Sequence, residues 1–188
     1  MTTPYRIAVL VGSLRKASFN RKVAVAMHSL APASLALAFV EIGDLPLYDE
    51  DLDKDGEPPA AWTRFRDAVR PVDGVLFFTP EYNRSIPGAL KNAIDVGSRP
   101  YGKSVWSKKA GGVVSVATGA IGGMGANHVL RQSMVFLDVP MMQQPEAYIG
   151  NAAKLFTESG DLASDDTRKF FSAVIDAYAE WVVRIVAR

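Results

Sequence analysis

The chain has 188 residues, of which 48% are hydrophobic and 22% are charged, and its formal net charge is +1. This composition predicts a single folded domain over residues 1–188 and excludes a disordered chain. The near-neutral charge gives no electrostatic reason to expect binding to nucleic acid or to an anionic membrane. The absence of cysteine excludes disulfides, thiolate nucleophiles and cysteine-ligated metal sites. Because no segment approaches the roughly 18 apolar residues of a membrane helix, we expect a soluble cytoplasmic protein.

Apolar segments typical of strands alternate with amphipathic segments typical of helices along the chain. We predict strands over Arg6–Val11, Leu35–Glu41, Gly74–Thr79, Ala110–Ala117 and Val139–Met142. We predict helices over Phe19–Leu30, Ala60–Arg70, Ala89–Val96, Met124–Leu137 and Asp165–Arg188, and a long acidic loop over Gly43–Pro59. Strands that alternate with helices in this way predict an α/β fold, a doubly wound parallel sheet with helices on both faces.

Three loops in this arrangement are candidates for a binding site, because ligands of doubly wound sheets bind beyond the carboxyl ends of the strands. The loops that follow the first, third and fourth predicted strands are GSLRKASFN at 12–20, TPEYNRSIPG at 79–88 and TGAIGGMG at 118–125. They are also the most unusual segments of the chain in composition. We therefore predict that the three loops form one site.

The first loop offers side-chain donors in place of the three glycines of a dinucleotide fingerprint. Ser13, Arg15, Ser18 and Asn20 provide two hydroxyls, a guanidinium and an amide beside a predicted helix N-terminus. Many donors around one compact group suit a terminal phosphate monoester. Ser18 taken alone is equally well placed to be a simple N-cap residue, but with Arg15 and Asn20 beside it the phosphate interpretation is favoured.

The second and third loops have the composition of a pocket for a flat ring. The second contains an aromatic residue and an amide, and the four glycines of the third let its backbone lie close to a ligand. The alternatives are a rigid connection whose Glu81 and Arg84 face solvent, and a flexible turn. A phosphate and a ring together predict a mononucleotide. FMN fits better than AMP, because the only candidate carboxylate for an adenine ribose, Glu41, lies further along the chain than the roughly 20 residues that are usual in the dinucleotide motif.

The motifs GSLRKASFN and PEYNRSIPGALKNAID, followed by SRP and then TGAIGG, resemble the NADPH-dependent FMN reductase family over roughly residues 7–183. This is the flavodoxin-like group of quinone, chromate and azo-dye reductases. The resemblance implies a flavodoxin-like, five-stranded sheet of order 2-1-3-4-5. It implies that the FMN phosphate binds Ser13, Arg15, Ser18, Phe19 and Asn20. It also implies that the ribityl chain and isoalloxazine ring contact Pro80, Glu81, Tyr82 and Asn83, with Ser115, Thr118, Gly119 and Gly122 on the other side of the ring.

The resemblance further implies an oxidoreductase in which NADPH or NADH reduces FMN and a quinone-like acceptor then takes two electrons in a ping-pong cycle. Chromate, azo dyes or free flavin are implied as side substrates. Such chemistry needs no catalytic side chain and no metal, and we expect His28 and His128 to be structural or exposed. Lys91 and Arg99 are either solvated or attract an anionic substrate. The alternatives are a flavodoxin-type electron carrier, which the missing acidic surface disfavours, and a flavin-free nucleotide-binding protein.

The resemblance also implies a homodimer or homotetramer, and the apolar content of the fourth predicted helix supports this. One sheet is not expected to cover all of its apolar side chains, and large exposed apolar patches mark interfaces. Arg131 and Glu146 are candidates for an ion pair across such a contact. The apolar residues concerned are Met124, Val129, Met134, Val135, Phe136 and Leu137, with Met141 and Met142 soon after.

Overall fold

A computed structural model describes residues 3–53 and 57–186 of the chain. Its strands are β1 (Tyr5–Val11), β2 (Leu35–Phe39), β3 (Gly74–Thr79), β4 (Ala110–Val116) and β5 (Ala147–Ile149). They form one sheet of order β2-β1-β3-β4-β5, and every neighbouring pair is parallel. The predicted flavodoxin-like fold class and strand order are therefore confirmed.

The helices are α1 (Phe19–Leu30), α2 (Ala60–Val69), α3 (Gly88–Ser98), α4 (Met124–Phe136) and α5 (Asp165–Val186). Short 3-10 helices lie at Glu50–Leu52, inside the predicted acidic loop, and at Ala152–Lys154. The predicted bounds of α1 and β3 are confirmed, whereas β2 ends two residues earlier than predicted, at Phe39. The last two residues of the predicted final helix, 187–188, lie outside the described residues, as do residues 54–56 of the predicted loop.

The position of the fifth strand was predicted wrongly. Val139–Met142 is apolar, but it makes only an isolated bridge, between Met141 and Gly111 of β4. Pro140 has no backbone N–H, and its carbonyl accepts from Gly111 at 2.9 Å and from the Trp181 indole at 3.0 Å. The strand resumes only after Pro145, where Ala147–Ile149 pairs with the end of β4.

The two faces of the sheet bury separate apolar clusters, as a doubly wound fold requires. On one face, α1 and α5 pack on alternate residues of β1, with Val23 and Tyr178 among the buried side chains. On the other face α2, α3 and α4 pack around Trp62 and Trp106. Ala68, near the end of α2, is exposed. Within residues 3–53 and 57–186, no helix has both the length and the apolar character needed to cross a membrane.

Candidate functional site

Three loops meet at the carboxyl edge of the sheet and enclose a cleft of about 160 Å³. They are the β1–α1 loop, the β3–α3 loop and the beginning of the β4–α4 loop. The structure therefore brings residues of all three loops to one cavity, which most of the predicted site residues line, and their role in binding stays a prediction. Its lining consists of Ser13, Arg15, Ser18, Phe19, Asn20, Pro80, Glu81, Tyr82, Val116, Ala117 and Thr118.

Ser18 begins α1 as its N-cap residue. Its hydroxyl accepts a hydrogen bond from the backbone N–H of Arg21 at 3.3 Å, so the N-cap interpretation is confirmed. The residue is only 2% exposed, yet it lines the cleft together with Phe19 and Asn20 of the first helical turn. The N-terminal end of α1 therefore lies against the cleft, where unpaired backbone N–H groups and the helix dipole favour an anion.

Asn20 carries an unsatisfied polar atom at this cleft. Its side-chain Nδ2 donates to the Val116 carbonyl at 3.3 Å. Its Oδ1 is buried and has no hydrogen-bond partner in the part of the chain that the structure describes. A buried acceptor left unpaired costs about 1–3 kcal/mol, so this oxygen needs a donor. A phosphate dianion cannot supply one, but the ribityl hydroxyls of FMN can, and the cleft residues thus fit both the phosphate and the ribityl chain.

Glu81 joins the second loop to the beginning of α4. Its carboxylate accepts from the backbone N–H of Ala126, in the first turn of α4, at 3.1 Å, and from Arg84 Nη1 at 2.8 Å. The N-cap residue of α4 is Gly123, which offers no side chain, so Glu81 supplies the negative group that this helix end favours. The Glu81 side chain is 12% exposed and that of Arg84 75% exposed. The alternative of a solvated Glu81 is therefore wrong, whereas Arg84 does face solvent.

A tight turn places Tyr82 at the cleft. Tyr82 and Ser85 exchange two backbone hydrogen bonds, of 2.9 and 3.0 Å. Asn83 and Arg84, at the tip, have positive φ angles of 53° and 63°, which few residues other than glycine adopt. The turn leaves Tyr82 47% exposed beside the cavity, as suits an aromatic side chain that contacts a flat ligand. Asn83 is exposed and lies outside the cleft lining.

The third loop contributes less to the cleft than predicted. Thr118 lines it, but Ser115 is fully buried, where its hydroxyl donates to the Ala147 carbonyl and accepts from Asn127. Gly122, at φ 67°, packs so closely on the backbone of Tyr148 that a Cβ would lie 2.5 Å from its carbonyl carbon. Gly119 is exposed and is not part of the lining. In this structure neither Ser115 nor Gly122 lines the cavity.

Two lining residues were not predicted from the sequence, Val116 and Ala117. They lie at the end of β4, beside the ends of the other central strands. The sequence could have indicated them only through their position at the end of a predicted strand, where ligands of such sheets bind. Both are small and apolar like the core residues before them, so their side-chain chemistry did not single them out.

The histidines and cations outside the cleft have other contacts. His28 is exposed and stacks on Phe39, and His128 is exposed and hydrogen-bonds the Tyr148 hydroxyl at 2.9 Å, so the expectation for both is confirmed. Burial raises the pKa of Tyr148, and a hydrogen bond with Glu146 adds to this effect. Lys91 pairs with Asp95 at 2.8 Å on the surface of α3.

Comparison with known proteins decides the family. The family model of the NADPH-dependent FMN reductases matches residues 5–154. The chain belongs to this family. A quinone reductase of Pseudomonas putida is 64% identical over 182 residues, which cover 97% of each chain. A 2-hydroxy-1,4-benzoquinone reductase of a Burkholderia species is 46% identical over 177 residues, 94% of this chain and 96% of the relative.

A solved structure of the same class agrees in fold. FerB, a flavoenzyme NAD(P)H:acceptor oxidoreductase from Paracoccus denitrificans, has a TM-score of 0.89 and is 39% identical, covering 96% of this chain and 98% of that one. The family predicted from the loop motifs is therefore confirmed. As a member of the NADPH-dependent FMN reductases, the chain is an oxidoreductase with FMN as its flavin and NAD(P)H as its electron donor.

Proposed function

We propose that this protein is an FMN-dependent NAD(P)H:quinone oxidoreductase. The observation that carries the proposal is the cleft at the carboxyl edge of the sheet, where an anion-favouring helix end, the unpaired Asn20 oxygen and the exposed Tyr82 ring surround one cavity. The 64% identical quinone reductase supports quinones as the acceptor class. Family membership favours this enzyme over the alternatives of an electron carrier or a flavin-free protein.

The residues of the cleft bind and orient the cofactor in this proposal. Ser13, Arg15 and the N-terminal end of α1 hold the phosphate, and Asn20 Oδ1 accepts a hydrogen bond from a ribityl hydroxyl. Pro80 and Tyr82 lie beside the ring. Bound FMN supplies the redox chemistry, in which a hydride from NAD(P)H is passed on to the quinone. The chain itself needs no nucleophile, since its work is binding, orientation and the electrostatics of the site.

We propose that the same exposed part of the cleft serves both substrates in turn, which gives two-electron, ping-pong turnover. Chromate, azo dyes and free flavin are proposed as side substrates, in keeping with the family resemblance. We also propose a cytoplasmic location, because reduced nicotinamide nucleotides are produced there.

We also propose self-association through the exposed end of α4. Val135 and Phe136 are 76% and 80% exposed, more than is usual for large apolar side chains. Met134, Met141 and Met142, by contrast, are buried in the core, so the apolar surface is smaller than the sequence indicated. Arg131, a candidate for an ion pair across such an interface, donates within its own chain to the Asn127 side chain and to the Met142 carbonyl.

Steady-state kinetics on the FMN-loaded protein test the proposed function. NAD(P)H oxidation is measured at several fixed concentrations of 1,4-benzoquinone, with a flavin absorption spectrum as the control for loading. We expect quinone-dependent oxidation and parallel double-reciprocal lines. A protein that takes up no FMN, or one whose NAD(P)H oxidation is unaffected by quinone, would refute the assignment. Intersecting lines would refute the ping-pong cycle alone.

A further inference from the structure

A second and larger cavity, of about 380 Å³, lies between α1 and the segment that leads into α5. We name it the α1–α5 groove; its lining includes Lys16, Lys22, Val25, Leu30, Phe156 and Arg168. One wall is the outer face of α1. The other is a small hairpin at 155–163, closed by the Phe156–Leu162 bridge and by a hydrogen bond from Ala163 N–H to the Leu155 carbonyl at 2.9 Å. The volume falls within the range of about 300–1,000 Å³ typical of small-molecule sites.

The groove adjoins the proposed phosphate site, because Ser18 lines both cavities. Lys16 lies in the first loop, next to Arg15, and Lys22 lies one turn into α1. The groove therefore adjoins the proposed phosphate end of the cleft, and its lining includes neither Pro80 nor Tyr82, the residues proposed to lie beside the ring. A ligand group in the groove would lie close to a bound flavin and would share only Ser18 with the lining of the flavin cleft.

Unpaired positive charge surrounds the groove. Lys16, Lys22 and Arg168 form no ion pair within residues 3–53 and 57–186, whereas Arg21 pairs with Glu41 at 2.8 Å. The groove is also lined by one carboxylate, Asp161. Three free cations against one carboxylate favour an anionic ligand, and lysine is a common phosphate ligand.

The interior of the groove is apolar and partly aromatic. Val25 is 49% exposed there, although it is a large apolar side chain on a helix. Lys22 Nζ lies 5.8 Å from the ring centroid of Phe19 and 5.8 Å from that of Phe156, so it joins the charged and the aromatic parts of the site. The half-buried Phe156 ring offers a surface for a flat heterocycle. An aromatic group that carries a phosphate matches both parts.

Asp161 narrows the class of ligand further. Its carboxylate accepts from the Ser159 hydroxyl at 2.8 Å and has capacity for further donors. A fatty acid has no donor to offer near neutral pH and would meet only repulsion from it, and inorganic phosphate, which keeps a hydroxyl donor, has no group that would occupy the aromatic part of the groove. A nucleotide offers ribose hydroxyls and, in adenine, an exocyclic amine. The set of cations, aromatic ring and single carboxylate therefore suits a nucleoside phosphate.

We propose that the α1–α5 groove is a subsite for a 5′-adenylate group, whose phosphate binds Lys16 and Lys22 and whose base packs on Phe156. Two molecules that meet a flavin reductase carry this group, the nicotinamide dinucleotides and FAD. Assignment of the adenylate to one of them rests on the proposed function. The existence of the subsite does not.

Isothermal titration of the FMN-loaded protein with 5′-AMP tests the subsite, because bound FMN keeps AMP out of the flavin phosphate site. We expect binding of one AMP per chain, and we expect Lys22→Glu to weaken it by about tenfold or more, through loss of a charge-assisted contact. Lys169→Glu is the matched control. It makes the same charge change on α5, but Lys169 is 79% exposed and does not line the groove.

Three outcomes would overturn the subsite: no AMP binding, equal weakening in the Lys22→Glu and Lys169→Glu variants, or inorganic phosphate that binds as tightly as AMP. The last would show that the aromatic part of the groove is unused. If the protein takes up no FMN, the proposed function fails. Titration of the flavin-free protein with AMP then still tests the groove, so the two failures are distinguishable.

Two further measurements identify the source of the adenylate. A raised KM for NAD(P)H with unchanged kcat in Lys22→Glu, but not in Lys169→Glu, assigns it to the nicotinamide dinucleotide. A selective loss of FAD affinity relative to FMN in the flavin-free protein assigns it to FAD. If AMP binds and neither quantity changes, the subsite takes a free adenine nucleotide.

Discussion

Replacement of Glu81 by alanine should destabilise the protein more than loss of a comparable surface carboxylate. The Glu81 side chain is 12% exposed and accepts from both the Ala126 backbone and Arg84. Removal leaves the N-terminal end of α4 without its negative group and breaks the hydrogen bond that joins the β3–α3 loop to α4. Both loops border the flavin cleft, so stability and FMN affinity should fall together.

The expected magnitude follows from the two contacts. A hydrogen bond from a backbone N–H to a charged group contributes about 1.5–3 kcal/mol, and interaction with the helix dipole adds about 0.3–1 kcal/mol. The ion pair adds at most about 1 kcal/mol, because Arg84 is 75% exposed. These contributions overlap, so we expect the free energy of unfolding to fall by about 2–3 kcal/mol.

Glu41→Ala is the matched control. Glu41 also pairs with an arginine at 2.8 Å, but it is 68% exposed and accepts no backbone N–H in the part of the chain that the structure describes, so its loss should cost less than about 1 kcal/mol. Urea denaturation of the two flavin-free variants gives the comparison, and fluorescence titration gives FMN affinity. Glu81→Gln, which keeps an acceptor for Ala126 but loses the charge, should lie between wild type and Glu81→Ala. Equal losses in Glu81→Ala and Glu41→Ala would refute the reasoning.

Three further predictions concern the phosphate site, the core and the surface. Arg15→Ala should weaken FMN about 10- to 100-fold and leave riboflavin affinity unchanged in fluorescence titrations; equal effects on both ligands would show that Arg15 does not bind the phosphate. Asp53→Ala leaves the buried Arg66 guanidinium without the partner it holds at 2.7 and 2.9 Å, and should lower the free energy of unfolding in urea by about 3–5 kcal/mol. A loss below about 1 kcal/mol, as at a surface pair, would contradict this. Phe136→Asp should lower the mass measured by light scattering at micromolar concentration; an unchanged mass would place any interface elsewhere.

Local sequence alone located those helices and strands whose ends are marked by residues close together in the chain. Ser18 followed by an amphipathic segment located the beginning of α1, and the uninterrupted apolar run Gly74–Thr79 located β3. Alternation of strands and helices fixed the fold class, and with it the edge of the sheet where the site lies. These features depend on contacts between residues close in the chain, or on a periodicity that any short segment displays.

Tertiary structure decided the features that depend on distant contacts. Val139–Met142 is as apolar as a strand, but Pro140 and the packing of Trp181 move the fifth strand to Ala147–Ile149. The contact of Glu81 with Ala126 joins residues 45 apart, and the unpaired oxygen of Asn20 follows from its bond to Val116, 96 residues away. The sequence shows that a side chain can accept a hydrogen bond. Only the packed chain decides whether a donor is there, because desolvation makes the unpaired atom costly only after distant segments have excluded water from it.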